Sequence, residues 1–580
     1  MSNIPHFITL TIIAIASSFL LSCSEVIELV GQGGEKPLRN AELPPPSTGP
    51  RVLLFALDGV GYDQLMEALH SGQFLHLQTL LGTEKQDGLF EHGYAVPNAI
   101  SILPSTTMAA WASVYTGEPP SRTGVPGNEW FVREQMRFFA PGAVSVTETE
   151  HFFKLFTDGL LGDVIQTPTL YELLGGLRSH VSLGLLYRGA SLLTTPEPKV
   201  LWTFFATFLK GVISTESVDR DIYSTIDEES VTKLIDALKE HGVPALQVVY
   251  FPGIDLFTHV ADDPLLMQVE YLEDVIDKAV GDVLETYAKL GVLDETYVLF
   301  VSDHGHTPVL NDDRHALGAE GDDEPPALIK KMGFRLRKFV LDPAENELDY
   351  QATVAYQGAI AYVYLTDRSI CSAEGDRCDW RRPPRLQEDV MPVVRAFYEV
   401  NKTGNPIPAL KGTLDLIFAR PPRPPDQDAL PFQVFDGKKL VPLSTYLARH
   451  PRPDLLQLEK RMQWLGAGPY GHRAGDILLL ARSGLERPIE ERFYFSGPYH
   501  SWHGSPETQD SHIPLILARK GESGEKLQTT VKAIVGKSPS QLHVVPLVRA
   551  LLEDRQEKDT MMLDKKPEKA QKRPKPETGD

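Results

Sequence analysis

Asp58 follows the apolar run Arg51–Leu57, Asp255 and His259 follow the run 245–251, and Asp303 and His304 follow 297–302. His503 lies in Trp502-His503-Gly504-Ser505. Any one of these has a plain structural explanation, because an Asp after a strand commonly caps the next helix. Taken together they are three carboxylates and three imidazoles, a good donor set for Zn²⁺ and similar ions. Six such ligands can hold two ions about 3.5–4 Å apart, the arrangement that hydrolyses phosphate esters by activating a nucleophile at one ion and stabilising the leaving oxygen at the other. The attacking group is sought in Ser105-Thr106-Thr107, which opens a helical pattern ending at Thr116-Gly117. A hydroxyl at a helix N-terminus sits in a positive local field. By chemistry alone the three hydroxyls are equivalent, and each can instead cap the helix. His306 and His315 are given no role beyond support of the ligands from behind.

Something must bring these residues together. The runs 51–57, 245–251, 297–302, 476–481 and 513–518 read as buried strands, with helical patterns between them at 229–241 and 269–290. Alternation of strands and helices predicts an α/β fold with a mostly parallel central sheet flanked by helices. Polar residues at the carboxyl ends of such strands line the usual site crevice. Residues 380–470 are Pro- and Arg-rich and weaker in periodicity, and read as an inserted cap. The run Leu201–Leu209 stops at Lys210, too short to span a membrane, and reads as a buried helix or a lid on the substrate side.

The whole set resembles the type I phosphodiesterase/nucleotide pyrophosphatase family of the alkaline phosphatase superfamily. The resemblance rests on Asp58-Gly59, the loop closing on Thr116-Gly117, Asp255-x-x-x-His259, Ser302-Asp303-His304-Gly305 and His503-Gly504-Ser505. It runs over about 50–365 and returns over about 470–550. It implies an alkaline-phosphatase-like core, with Asp58, Thr107, Asp303 and His304 around one divalent ion and Asp255, His259 and His503 around a second, zinc first among the candidates. It makes Thr107 the nucleophile, and Asn128 a hydrogen-bond donor to a phosphoryl oxygen. Related sulfatases carry Pro and Arg shortly after the nucleophile, where this chain has Ala109 and Trp111. Tyr187-Arg188-Gly189-Ala190 resembles a Lys-x-Arg-Gly-Ala block that binds the extra charge of a phosphomonoester. Arg188 is therefore expected at the substrate, but Leu186 replaces the Lys, which favours a diester. Met108-Ala109-Ala110 replaces a Phe-Pro-Asn common in nucleotide pyrophosphatases, leaving nucleotide specificity open. The expected function is metal-dependent phosphoester hydrolysis through a phospho-threonine. The alternatives are a phosphomonoesterase, a phosphoryl transferase to a lipid or glycan, and, remotely, a non-catalytic envelope lipoprotein.

Lys and Arg number 57 against 78 Asp and Glu, a net charge of −21. That argues against a nucleic-acid duplex as partner, while leaving a small anionic phosphate ester possible where bound ions reverse the field. Residues 1–22 carry no Lys, Arg, Asp or Glu and end in Leu20-Leu21-Ser22 before Cys23. This resembles a bacterial lipoprotein signal peptide, with Cys23 lipidated and the protein anchored outside the cytoplasm. Ser24 after Cys23 resembles outer-membrane sorting if the cell is Gram-negative; a cell-surface location is expected otherwise. An ordinary secretory signal is the competing explanation. Residues 23–50 read as a tether, 51–553 as the catalytic domain and 554–580 as a disordered tail. An oxidising location permits disulfides, and Cys371 and Cys378 enclose a short polar loop and are expected to pair.

Overall fold

The computed structural model describes residues 35–37 and 43–563, apart from 143, 145–153, 156–158, 198, 202, 204–219, 319–323, 338–348, 374 and 424–426. The predicted lipoprotein signal and Cys23 lie outside the described residues, as does most of the apolar run 201–209. Among the described residues no helix is long and apolar enough to cross a membrane.

The central sheet is built on three long strands, β1 (Arg51–Leu57), β2 (Leu246–Phe251) and β3 (Thr296–Ser302), every residue of which is buried. They are nearly continuous runs of Val, Leu, Phe and Tyr, as a parallel strand covered on both faces requires. β1 lies between β2 and β3 and runs parallel to both. Beyond β2, Ser179–Ser182 and Leu192–Thr194 continue the parallel set. Antiparallel strands close both edges: Glu35–Pro37 on one side, and β4 (Leu515–Ala518) followed by Gly93–Ala95 on the other. The fold is thus the expected α/β arrangement, with helices over a mostly parallel sheet. Leu57 pairs with Phe251 on one side and Ser302 on the other. The residues that follow all three strands therefore emerge side by side at one edge.

Three boundaries differ from expectation. Glu35–Pro37, within the predicted tether, is an edge strand of the central sheet. A helix over Val544–Leu563 runs into the predicted tail. The predicted insertion at 380–470 belongs to a larger unit, a six-stranded antiparallel sheet made by Ala352–Tyr356, Ile360–Leu365, Leu414–Ala419, Gln433–Phe435, Leu440–Pro442 and Ile477–Ala481. The strand expected at 476–481 sits here rather than in the central sheet. Its alternate residues feed two apolar clusters, Ile477, Leu479 and Ala481 on one face and Leu478 and Leu480 on the other. Burial on both faces yields the same continuous apolar run whichever way the neighbouring strands point. Cys371 and Cys378, just past this sheet's first hairpin, are joined by a disulfide with Cα atoms 5.1 Å apart.

The second sheet reaches the site. Gln357 follows Tyr356, and its Oε1 accepts the Asn128 N–H at 2.6 Å. Ala359 donates its N–H to the His503 carbonyl at 3.0 Å.

Candidate metal and active centre

Asp58 leaves β1 into a turn at Gly59, whose φ of +71° favours glycine. A Cβ there would lie 2.5 Å from Asp255 Oδ1 and 2.7 Å from His306 Nε2. Asp303 Oδ1 accepts the N–H groups of Gly59 and His304, both at 3.0 Å. Asp58 Oδ2 accepts Trp111 Nε1–H at 3.1 Å and the Tyr250 hydroxyl. The other oxygens, Asp58 Oδ1 and Asp303 Oδ2, are buried without a hydrogen-bond partner. They stand 3.6 and 3.2 Å from Nε2 of His304. Thr107 Oγ1 is 3.3 Å from the same nitrogen.

The hydroxyl loop now separates into three roles. Ser105 donates to the Ser505 carbonyl at 2.8 Å. Thr106 is the N-cap of α1 (Thr107–Thr116), with no side-chain capping bond. Thr107, the first residue of that helix, is the hydroxyl that faces His304.

The second group hangs on α2 (Gly253–Val260), where Asp255 and His259 are one turn apart on one face. Asp227 fixes the start of this helix by accepting Gly253 N–H at 3.1 Å and Tyr271 O–H at 2.8 Å. His259 Nε2 is 3.6 Å from Asp255 Oδ2, and His306 Nε2 is 2.8 Å from Asp255 Oδ1. The His503 ring stacks on that of His304 at 3.6 Å and lies 5.2 Å from that of His259. Asp510 ties the two late loops together, accepting Thr307 O–H at 2.5 Å and Ser505 N–H at 2.9 Å.

The histidines are oriented alike. Nδ1 donates to the Ser501 carbonyl in His259 (2.8 Å), to the Gly305 carbonyl in His304 (3.1 Å) and to the Ser105 carbonyl in His503 (3.1 Å). A neutral ring with its proton on Nδ1 keeps a lone pair on Nε2, the form that ligates metal. Burial favours that neutral form: it pushes His304 down to about 3, His259 to about 4 and His503 well below its usual value. Burial also pushes Asp303 up to about 8, with the Asp255 charge adding to it. It raises Asp58 well above the carboxylate range, with Asp303 and Asp255 adding. Burial opposes ionisation of Asp255 too, but His259, His306 and His304 overcome it and hold this group well below the usual range. Buried carboxylates with orphaned oxygens beside neutral imidazoles form a pocket that a divalent cation fits. Among the described residues three sets of ligand atoms lie within 4.8 Å of one another: Asp58, Asp303 and His304; Asp255, His259 and His306; and Asp255, His304 and His503.

The profile of the type I phosphodiesterase/nucleotide pyrophosphatase family matches residues 52–372, more than half of the chain. The chain belongs to that family. It is thereby a phosphoester hydrolase, in a family whose members use divalent metals, and it carries candidate clusters for them. A search of curated proteins finds no match. Two solved structures of murine ectonucleotide pyrophosphatase/phosphodiesterase 5 are similar to this family member. One is an inactive variant in complex with AMP, at 12% identity, and the other is at 13%. Each has a TM-score of 0.48, with 87% of this chain and 95% of that one covered. Phosphonoacetate hydrolase from Sinorhizobium meliloti 1021, in complex with phosphonoformate, is similar at 15% identity and a TM-score of 0.45, covering 87% of this chain and 96% of its own.

Asn128 lies beside the start of α1, where its Oδ1 accepts Met108 N–H at 3.0 Å. That bond leaves Nδ2 as its donor end. Arg188 is a correction. Its Nε and Nη2 donate to Glu172, its Nη1 to the carbonyls of Gly162 and Ile165, and its Nη2 also to that of Thr167. All five N–H groups thus have acceptors. Arg188 pins a loop framework and has no donor left for a substrate oxygen. The contributions of Trp111, Tyr250 and Ser501 were not foreseen; His306 was expected at most to support the ligands from behind, and it stands 2.8 Å from Asp255 Oδ1.

Proposed function

We propose that this family member is a phosphodiesterase with two divalent ions, one held by Asp58, Asp303, His304 and Thr107, the other by Asp255, His259 and His503. The observation that carries the reading is the convergence of two orphaned, buried carboxylate oxygens on His304 Nε2 beside the Thr107 hydroxyl. Bound divalent ions would neutralise phosphoryl oxygens, lower the pKa of the attacking hydroxyl and stabilise the leaving oxygen. Thr107 Oγ1 attacks phosphorus in line, the P–O bond to the leaving group breaks, and a phospho-threonine forms. Asn128 Nδ2 donates to a non-bridging oxygen. Water then cleaves the Thr107–phosphorus linkage and restores the hydroxyl. The complete engagement of Arg188 favours a diester, because it removes the cation that a terminal phosphate would need. The Asp and His donors favour zinc.

The same reading places the protein outside the cytoplasm, lipid-anchored at Cys23, and the Cys371–Cys378 disulfide supports an oxidising compartment. The test of function is parallel hydrolysis of p-nitrophenyl phosphate and bis-p-nitrophenyl phosphate, with zinc and with chelator. A chelator-sensitive preference for the diester is expected, and a preference for the monoester overturns the substrate assignment.

A further inference from the structure

We infer that Arg461 is a positioning residue for the hydrolytic reaction, holding the segment that leads into Thr107 against the loop that follows His503. The inference rests on the reading of Thr107 as the nucleophile. Arg461 lies on a helix over Leu458–Gly466, within the Pro- and Arg-rich stretch 380–470, yet it is fully buried. Its guanidinium reaches three segments far apart in sequence. Nη2 donates to the Ile102 carbonyl at 2.7 Å and to Ser511 Oγ at 2.8 Å. Nη1 donates to the carbonyls of Pro506 and Leu456 at 3.2 and 3.3 Å.

Among the described residues no carboxylate accepts from this guanidinium; Asp510 acts on it only through its charge. Burying a cation without a carboxylate partner is costly. Hydrogen bonds from a charged donor to carbonyls are strong and offset part of that cost. A planar guanidinium also imposes geometry that an apolar side chain of the same volume does not. Here it fixes the spacing between Ile102 and Ser511.

From Ser511 the connection runs on to the centre. The Ser511 hydroxyl accepts from Arg461 and gives its one proton to the Ser505 carbonyl at 2.7 Å. The Ser105 hydroxyl donates to that same carbonyl at 2.8 Å. The carbonyl of Ser105 in turn accepts His503 Nδ1 at 3.1 Å. Thr107 follows two residues after Ser105 and opens α1. Arg461 therefore acts through Ser511, Ser505 and Ser105, and sets the attacking hydroxyl relative to His503.

Steady-state kinetics of the full chain with zinc on bis-p-nitrophenyl phosphate test this, run well below each variant's unfolding midpoint. Arg461→Met is expected to lower kcat by about 10- to 100-fold, as a small misplacement of reacting groups does, with KM within about threefold and zinc content unchanged. A kcat within about threefold of wild type overturns the inference, as does a loss carried by KM or by missing zinc. Ser511→Ala cuts the connection while leaving the cation in place, and decides the matter if Arg461→Met does not fold. It is expected to lower kcat by at least about fivefold, and the double variant to be no slower than Arg461→Met alone. An unchanged kcat in Ser511→Ala, or losses that multiply in the double variant, overturns the inference. Thr107→Ala is assayed alongside. Its inactivity with full turnover in the Arg461 and Ser511 variants overturns the role of Arg461 alone. Full turnover in Thr107→Ala overturns the nucleophile reading and this inference with it.

Discussion

Thr107 Oγ1 and His304 Nε2 meet at 3.3 Å, joining the first residue of a helix to the first loop after a central strand. Of the three hydroxyls in the loop, this is the one that faces the ligand cluster. Thr107→Ala is expected to reduce turnover of bis-p-nitrophenyl phosphate by several orders of magnitude while two equivalents of metal stay bound. Activity within tenfold of wild type would remove Thr107 from the chemistry. Metal analysis of the same sample separates loss of the nucleophile from loss of the ions.

Zinc binding is expected to release protons. Without metal, burial and the neighbouring Asp255 charge raise Asp303 to about 8, so at pH 7 it is protonated. A bound cation needs its carboxylate form. Calorimetric titration of metal-depleted protein at pH 7 in buffers of different ionisation enthalpy should show net proton release, with affinity rising between pH 6 and 8. The sign for stability is the reverse. An acid whose folded pKa lies above its unfolded value binds more protons when folded, so Asp303 costs the metal-free protein stability as pH rises towards 8; below about pH 6.5 the histidines held neutral by burial act in the opposite sense, and the net loss is expected between about pH 7 and 8. Thermal unfolding of metal-free protein that is most stable near pH 8 would contradict this.

Gly59→Ala tests the tightest approach in the centre. The residue has φ of +71°, where a side chain costs on the order of 1–3 kcal/mol. Its new Cβ would also push on Asp255 Oδ1 and His306 Nε2. Zinc affinity is expected to fall along with thermal stability. A variant that is destabilised but binds zinc as the wild type does would show that the contact relaxes without moving the ligands.

Arg188→Met should behave as a framework change. The Arg188 side chain is 32% exposed and holds Glu172 together with three carbonyls. Unfolding free energy is expected to drop by about 1–3 kcal/mol. The ratio of diester to monoester turnover should not change. A selective loss of monoester hydrolysis would return Arg188 to the substrate.

The positions of Asp58, Asp255, His259, Asp303 and His304 were legible because each follows a strand whose run is almost wholly apolar, and strand ends are where such folds place their chemistry. What was hidden depends on distant partners. The orientation of His306 is set by Ser501, far along the chain, and nothing local marks that pairing. Arg188 sits in a motif that suggests substrate binding, but its acceptors come from a loop whose course the motif does not state. The strand Glu35–Pro37 is three residues long, too short to carry a period. The run 476–481 gave its strand but not its sheet, since two apolar clusters cover it as fully as helices cover β1.

Gln357 and Ala359, on a hairpin of the second sheet, hold the backbones of Asn128 and His503. The centre is therefore assembled late and as a whole. A chain that stops before residue 501 lacks His503, the Ser501 carbonyl that orients His259, and the pairing of Thr307 with Trp502 that seats the last loop. Contacts so far apart in sequence are slow to form. Ion capture thus serves as a report on completed folding, and a fragment carrying the central strands alone would not reproduce the centre.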